Sequence, residues 1–213
     1  MPRTADHDLR RTQIAEAAYD LIAGAGLDAA TMAAVAREAG ISVGLVQHYF
    51  GSKDELLLFT YRRTMDGVLE RAYKLVAEGE AAHGTIAGIL LECLQQLWPL
   101  DARRRGEHRV AAAFRARSMD SPEVAEVARE TAANIRGLIA SSIENGKECG
   151  ETEPGTAAET AAMGVLALVE GLADQLYRGA GQAVDGRPAG EAAVVILRGA
   201  LASTLPGECR RYR

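Results

Sequence analysis

Residues 31–58 read TMAAVAREAGISVGLVQHYFGSKDELLL, and the punctuation of this stretch decides the fold. It spells two short helices, a tight turn between them, and the start of a much longer helix. Thr31 stands where its hydroxyl can cap the first helix, with Val35 and Ala36 on the buried side. Gly40 follows the last turn, where a left-handed residue costs least without a Cβ. Ser42 is placed to cap the second helix. A few turn residues centred on a glycine are what a helix-turn-helix requires. Within the second helix Val46 and Phe50 share one face at i, i+4. Gly44 and His48 point the opposite way, flanked by Val43 and Gln47, with Leu45 and Tyr49 at the margins. A small residue among hydrogen-bonding ones lets a helix lie close in a DNA major groove and reach base edges.

The flanks support this reading. Ser52-Lys-Asp-Glu55 is a capping box with acids in the first turn, opening a helix to about Glu78. Lys53, at its N-terminus, can reach a phosphate. Tyr61, Met65, Leu69 and Ala72 follow on one face, so a single rigid element runs from the DNA side into the rest of the chain. Upstream, Met1 to His7 reads as a polar arm, disordered without DNA, whose Arg3 can reach phosphates or the minor groove. A first helix from about Asp8 to Ala23 carries the stripe Ile14, Ala17, Ala18, Leu21, Ile22 that packs on the two short helices.

With R-x-x-I at Arg11 to Ile14 and A-A-Y-D-L-I at 17–22 before it, the stretch resembles the DNA-binding domain of the TetR family of one-component transcriptional repressors. The matching run is T-M-A-A-V-A, then A-G-I-S-V-G-L-V-Q-H-Y-F-G-S-K-D-E-L, recurring in order at fixed spacing over roughly the first quarter of the chain. The remainder resembles the family only in being helical and of suitable length. One departure is Gln47, where the family usually has an aromatic residue. Candidate DNA contacts are Arg11, Thr31, Ser42, Val43, Gly44, Gln47, His48, Tyr49 and Lys53.

Composition bounds the rest. The chain has 213 residues, enough to bury a real core as one large or two small domains. Aromatics are 5% and β-branched runs are nearly absent, so helix is favoured throughout. No apolar stretch reaches the roughly 18 residues a membrane span needs, and no signal-peptide core is read at the N-terminus. The three cysteines, Cys93, Cys149 and Cys209, are widely spaced. They suit a reducing cytoplasm, with neither a disulfide framework nor metal-ligand spacing. The net charge of −5 speaks against strong non-specific DNA affinity. Docking depends instead on where Arg3, Arg10, Arg11, Arg37 and Lys53 sit around the motif.

Two matches to catalytic or cofactor motifs fail on context. Gly24-Ala-Gly26-Leu-Asp-Ala29 has the dinucleotide-binding spacing but ends a helix instead of following a strand. Gly40-Ile-Ser42-Val-Gly44 has the spacing of a nucleophile elbow, which needs a preceding buried strand where AAVAREA forms a helix. The four histidines are scattered, with no ligand pairing. No cofactor, metal or catalytic set is expected.

Beyond a polar turn at Gly79 to Gly84, helices are expected at about Thr85 to Trp98, from the basic run Arg103 to Arg105 on to Met119, and from Pro122 to about Cys149. A second capping box, Thr156-Ala-Ala-Glu159, opens a helix to about Tyr177, and the last runs from about Pro188 to Thr204. Both are apolar around most of their girth and need cover on two sides. That suggests a dimer interface through Val165, Leu168, Leu172, Leu176, Val195 and Leu201, or else two central helices of a monomer core. A small-molecule pocket is expected at Tyr61, Met65, Leu69, Trp98, Phe114 and Met119, with Glu170 (paired at i, i+4 with Asp174) facing solvent at a groove or else meeting a cationic or hydroxylated ligand. Core packing is the alternative for the large apolar members.

The expectation is an all-α protein of about nine helices, with a three-helix DNA-binding domain over 1–53 and a ligand-binding and dimerisation domain over 54–213. As the resemblance implies, its partners are double-stranded operator DNA, a small-molecule effector and a second copy of itself. The alternatives are a helical enzyme or binding protein with no DNA role, an activator, and a ligand-independent architectural protein.

Overall fold

The computed structural model describes residues 2–210, with side chains from His7 onward. It is all-α apart from one small hairpin. The helices are α1 (Pro2–Ala25), α2 (Met32–Glu38), α3 (Val43–Tyr49), α4 (Lys53–Ala81), α5 (Ile86–Leu94), α6 (Ala102–Ser118), α7 (Pro122–Cys149), α8 (Ala158–Arg178) and α9 (Ala189–Thr204). Short 3₁₀ turns at Leu27–Ala29 and Gln95–Leu97 precede α2 and follow α5. Strands β1 (Ala183–Val184) and β2 (Arg187–Pro188) pair antiparallel before α9. Their two-residue loop, Asp185-Gly186, has positive φ at both positions (50° and 77°), the mirror-image turn that Asp-Gly favours.

The chain forms two compact units, Met1–Gly67 with Arg105–Arg129, and Val68–Arg104 with Glu130–Arg213. The division expected at 53/54 therefore falls elsewhere. A cap at Ser52 starts α4 but does not end the first unit, because Leu56, Leu57, Tyr61 and Met65 are still buried beyond it.

In the first unit, Ile14, Ala17, Ala18 and Ile22 of α1 are buried, as the stripe predicts, together with Val35, Ala36, Val46 and Phe50. The caps form as read, with Thr31 Oγ1 accepting from the Ala34 N–H and Ser42 Oγ from that of Leu45, both at 3.1 Å. At Gly40 (φ 67°), the Ile41 N–H reaches the Ala36 carbonyl (2.9 Å) and that of Gly40 the Arg37 carbonyl (3.2 Å). This paired closure of a helix end requires the left-handed residue that glycine supplies. Gln13 Nε2 donates to the Ala39 carbonyl (2.9 Å), fixing α1 to the end of α2. Arg109 bonds the carbonyls of Ala23 (2.7 Å) and Gly24 (2.9 Å), satisfying orphan acceptors at the end of α1.

In the second unit, Leu90, Leu94, Trp98, Ile139, Ile143, Val165, Val169, Leu172, Leu197 and Leu201 belong to one buried cluster. The N-terminus of α5 is closed from two directions. Thr85 Oγ1 accepts from the Gly88 N–H (3.1 Å), and the buried Glu151 carboxylate accepts from Ile86 (2.9 Å) and Ala87 (3.1 Å). An anion at that end also meets the positive pole of the helix.

Some local expectations are corrected. α1 begins at Pro2, not near Asp8, and the Arg3 side chain lies outside the described residues. α4 continues through Gly79 to Ala81, since Ile89 fills the space a Cβ at Gly79 would need. The helix expected to reach Trp98 stops at Leu94 and tightens into a 3₁₀ turn. The box at Thr156 does not form. Ala157 precedes α8 with no side-chain cap, while the Thr156 N–H turns back to the Glu153 carbonyl (3.0 Å).

Candidate nucleic-acid interface

The second helix of the motif, α3, is seven residues long and buries only Val46 completely. Ser42, Val43, Gly44, Gln47 and His48 are exposed, and Leu45 and Tyr49 half-buried, which is the division the i, i+4 reading requires. A Cβ added at Gly44 would meet nothing within 4 Å, so no packing inside the chain demands glycine there. The open space lies on the outward face. Tyr49 stands between two imidazoles, with ring centroids 4.8 Å from His7 and 5.3 Å from His48. Thr31 and Ser42 are exposed at the starts of α2 and α3, and each hydroxyl spends a lone pair on its cap while keeping its own proton to donate. Arg37 is exposed in the last turn of α2.

Two expected DNA contacts are engaged within the protein. The Arg11 guanidinium lies 4.6 Å from the ring centres of both Phe50 and Phe59 and pairs with Glu55 at 3.3 Å. This flat cation covers aromatic faces, an attraction on the order of 0.5–2 kcal/mol, and positions the end of α3 from within. The Lys53 ammonium donates to the Leu27 carbonyl at 3.0 Å, using one of its three protons to fasten α4 behind the motif. Glu55 closes the start of α4 by accepting from the Gly51 N–H (2.8 Å), while its own N–H reaches Ser52 Oγ (3.0 Å).

Sequence reasoning missed Arg117, which grips Asp54 with Nε at 2.9 Å and Nη2 at 2.7 Å. The Arg117 hydrogen bond, against some opposition from burial, holds the Asp54 carboxyl below its ordinary range. No spacing rule joins residues 54 and 117, so the sequence carried no signal for the pair.

The model described as "Bacterial regulatory proteins, tetR family" matches residues 14–58, which enclose α2, α3 and the start of α4. The model described as "BetI-type transcriptional repressor, C-terminal" matches residues 87–206, more than half of the chain. The chain belongs to the TetR family. This TetR-family regulator is 30% identical over 174 residues to the HTH-type transcriptional regulator PksA of Bacillus subtilis (strain 168), covering 81% of each chain. It is 32% identical over 173 residues to the HTH-type transcriptional regulator BetI of Stenotrophomonas maltophilia (strain R551-3), covering 81% of this chain and 83% of that one. Among solved structures, a transcriptional regulator from Rhodococcus sp. Rha1 aligns at 34% identity with a TM-score of 0.76, over 91% of this chain and 96% of that one. The protein is therefore a DNA-binding transcriptional regulator and not an enzyme, as the sequence led us to expect. Among the described residues, no helix is long and apolar enough to cross a membrane.

The residues expected to line an effector pocket are distributed over both units. Tyr61, Met65, Phe114 and Met119 belong to the first unit, whereas Leu69, Trp98 and Glu170 belong to the second. Tyr61 and Phe114 stack on each other at 3.7 Å, 3° from parallel. Trp98 is completely buried, its indole N–H donating to the Val169 carbonyl at 3.1 Å. Met119 is 86% exposed just past the end of α6, and Glu170 is exposed on α8. Tyr61, Phe114 and Trp98 are packed within their own units.

The proposed interface residues divide in the same way. Val165, Leu172, Leu176 and Leu201 are buried within the second unit itself, and Leu168 is half-buried, while Val195 is 52% exposed. The outward face of α8 carries Met163 (59% exposed), Gly164, Ala167 and Gly171 instead. Beside Val195, α9 exposes Ile196, Gly199 and Ala202.

Proposed function

We propose that this regulator represses transcription in the cytoplasm by binding a pseudo-palindromic operator as a homodimer, and that a small-molecule effector bound by the second unit releases it. The observation that carries the reading is the exposed face of α3, where Gly44 leaves open space between Val43, Gln47 and His48. An uncrowded face with an amide and an imidazole suits a helix lying in a major groove. Lys53, Thr31 and Ser42 supply cation and hydroxyl contacts to flanking phosphates.

Two recognition helices must meet successive grooves about 34–36 Å apart, which a two-fold dimer provides. The exposed small and apolar residues of α8 and α9 support pairing there, since glycine and alanine let helices approach closely. Effector action then follows from linkage. A ligand that binds better to the released state lowers DNA affinity by its differential affinity for the two states, and DNA lowers ligand affinity by the same factor. The helices α4, α6 and α7 each have residues in both units, giving continuous backbone for that coupling.

The test is footprinting on DNA flanking the protein's own gene at stated salt, with and without candidate metabolites. Two protected half-sites one helical turn apart, lost on adding one metabolite, are expected. Absence of any protected site at low salt would overturn the reading.

A further inference from the structure

Cys149 and Cys209 are sixty positions apart in sequence, yet their sulfurs and a carboxylate oxygen of Glu151 all lie within 4.8 Å of one another. Three features of the second unit bring them there. The Arg210 N–H bonds the Cys149 carbonyl (2.8 Å) and the Gly207 N–H bonds the Glu151 carbonyl (2.9 Å), laying the C-terminal segment along the loop after α7. Gly150 (φ 93°) permits the turn and the close approach, for a Cβ there would meet Arg210 Nε at 3.2 Å. The Glu151 carboxylate is fixed by the N-terminus of α5, and Cys149 Sγ donates to its Oε1 at 3.6 Å. A cleft of about 490 Å³ opens beside the group, lined also by Glu80, Ile89 and Glu148.

We propose that Cys149, Cys209 and Glu151 bind a thiophilic divalent cation of the zinc class. Two thiolates and a carboxylate are a donor set that zinc accepts, with ligands at about 2.0–2.3 Å and water in the fourth position. Such a site draws its ligand atoms to within about 4 Å of one another. The present cluster needs less than about an ångström of contraction, and half-buried Cys209 lies on the segment able to provide it. Each Glu151 oxygen already accepts one N–H and keeps a second lone pair. On binding, the cation displaces both thiol protons to solvent. Its two positive charges then meet two thiolates and one carboxylate, so the complex carries one net negative charge, and the cleft admits ion and water. Bound metal would pin the segment after α9 to the end of α7 and, through Glu151, to the start of α5.

The test uses the reduced, untagged full chain titrated with Co²⁺ and then Zn²⁺. One Co²⁺ per chain, with thiolate charge-transfer absorption and the intense visible bands of tetrahedral cobalt, is expected, and Zn²⁺ should displace it and raise Tm. Cys209→Ser should weaken Co²⁺ binding by more than the roughly 10–100-fold that loss of an outer-sphere partner brings. Cys93→Ser should leave it unchanged. In the wild-type chain Zn²⁺ should also slow labelling of Cys209 by a chromogenic thiol reagent, a readout that needs no variant. Absence of charge transfer, labelling indifferent to Zn²⁺, or a folded Cys209→Ser variant with wild-type Co²⁺ affinity would overturn the proposal.

Discussion

Arg117 holds Asp54 by two hydrogen bonds, 2.9 and 2.7 Å long, so a residue in the last turn of α6 secures the first turn of α4, the helix that follows α3. Because the folded carboxyl titrates below its ordinary 3.8, ionised Asp54 contributes stability that is full above that value and is lost as pH falls through the lower one. Asp54→Asn should therefore lower Tm at pH 7, and the gap to wild type should narrow progressively as pH falls below 3.8. A gap that keeps its size as pH falls would show that the pair acts through shape alone.

Trp98 is completely buried, with its indole N–H bonded to the Val169 carbonyl. Removing the indole in Trp98→Ala should cost about 3–5 kcal/mol in denaturant unfolding, the range for large aromatic residues in packed sites. A loss below about 1 kcal/mol would mean that the ring borders empty space.

Gly44 separates stability from reading. With nothing within 4 Å of a Cβ, Gly44→Ala should raise stability by about 0.5–1 kcal/mol through backbone entropy. Gly44→Glu should fold as well and lose operator binding, since it sets a bulky anion against phosphates. Circular dichroism melts and fluorescence anisotropy on the same samples decide this, and unchanged affinity for Gly44→Glu would remove Gly44 from the interface.

Val195 and Leu172 distinguish an outer face from an inner one. Val195→Glu places a charge on an exposed site and should give a folded monomer by sedimentation, whereas Leu172→Glu buries a charge in the chain's own core and should unfold it. A wild-type chain that is monomeric at micromolar concentration, or a Val195→Glu variant that remains a dimer, would refute pairing through this face of α9.

How legible all this was depended on the range of the interactions. The motif is local. Thr31, Gly40 and Ser42 cap and turn within a few residues, and Val46 against Gln47 is settled by helical period alone, so its outward face could be read from sequence. Long-range pairings left no such trace. Arg11 reads as a surface cation until Phe50 and Phe59 are placed around it, and Cys149 finds Cys209 only after α8 and α9 have returned the chain. The girdles of α8 and α9 were visibly apolar on two sides. Yet a pattern without a polar face cannot say which side meets its own core, so Val165, Leu172 and Leu201 read either as a dimer interface or as part of a monomer core. The box at Thr156 failed because its backbone took a turn to Glu153 instead, a competition that residue types alone do not decide.

The central claim, that the outward face of α3 reads base sequence, is tested most directly at Gln47. Its amide suits adenine N6 and N7, a contact worth about 1–3 kcal/mol of discrimination against the wrong base. Anisotropy titrations of wild type and Gln47→Ala against an operator and a set of single-base variants, at fixed salt, measure it. The prediction is that wild type discriminates at one position per half-site by that amount and Gln47→Ala does not, while other positions are read as before. Equal affinity of the two proteins for every sequence, with wild type discriminating nowhere beneath α3, would contradict it.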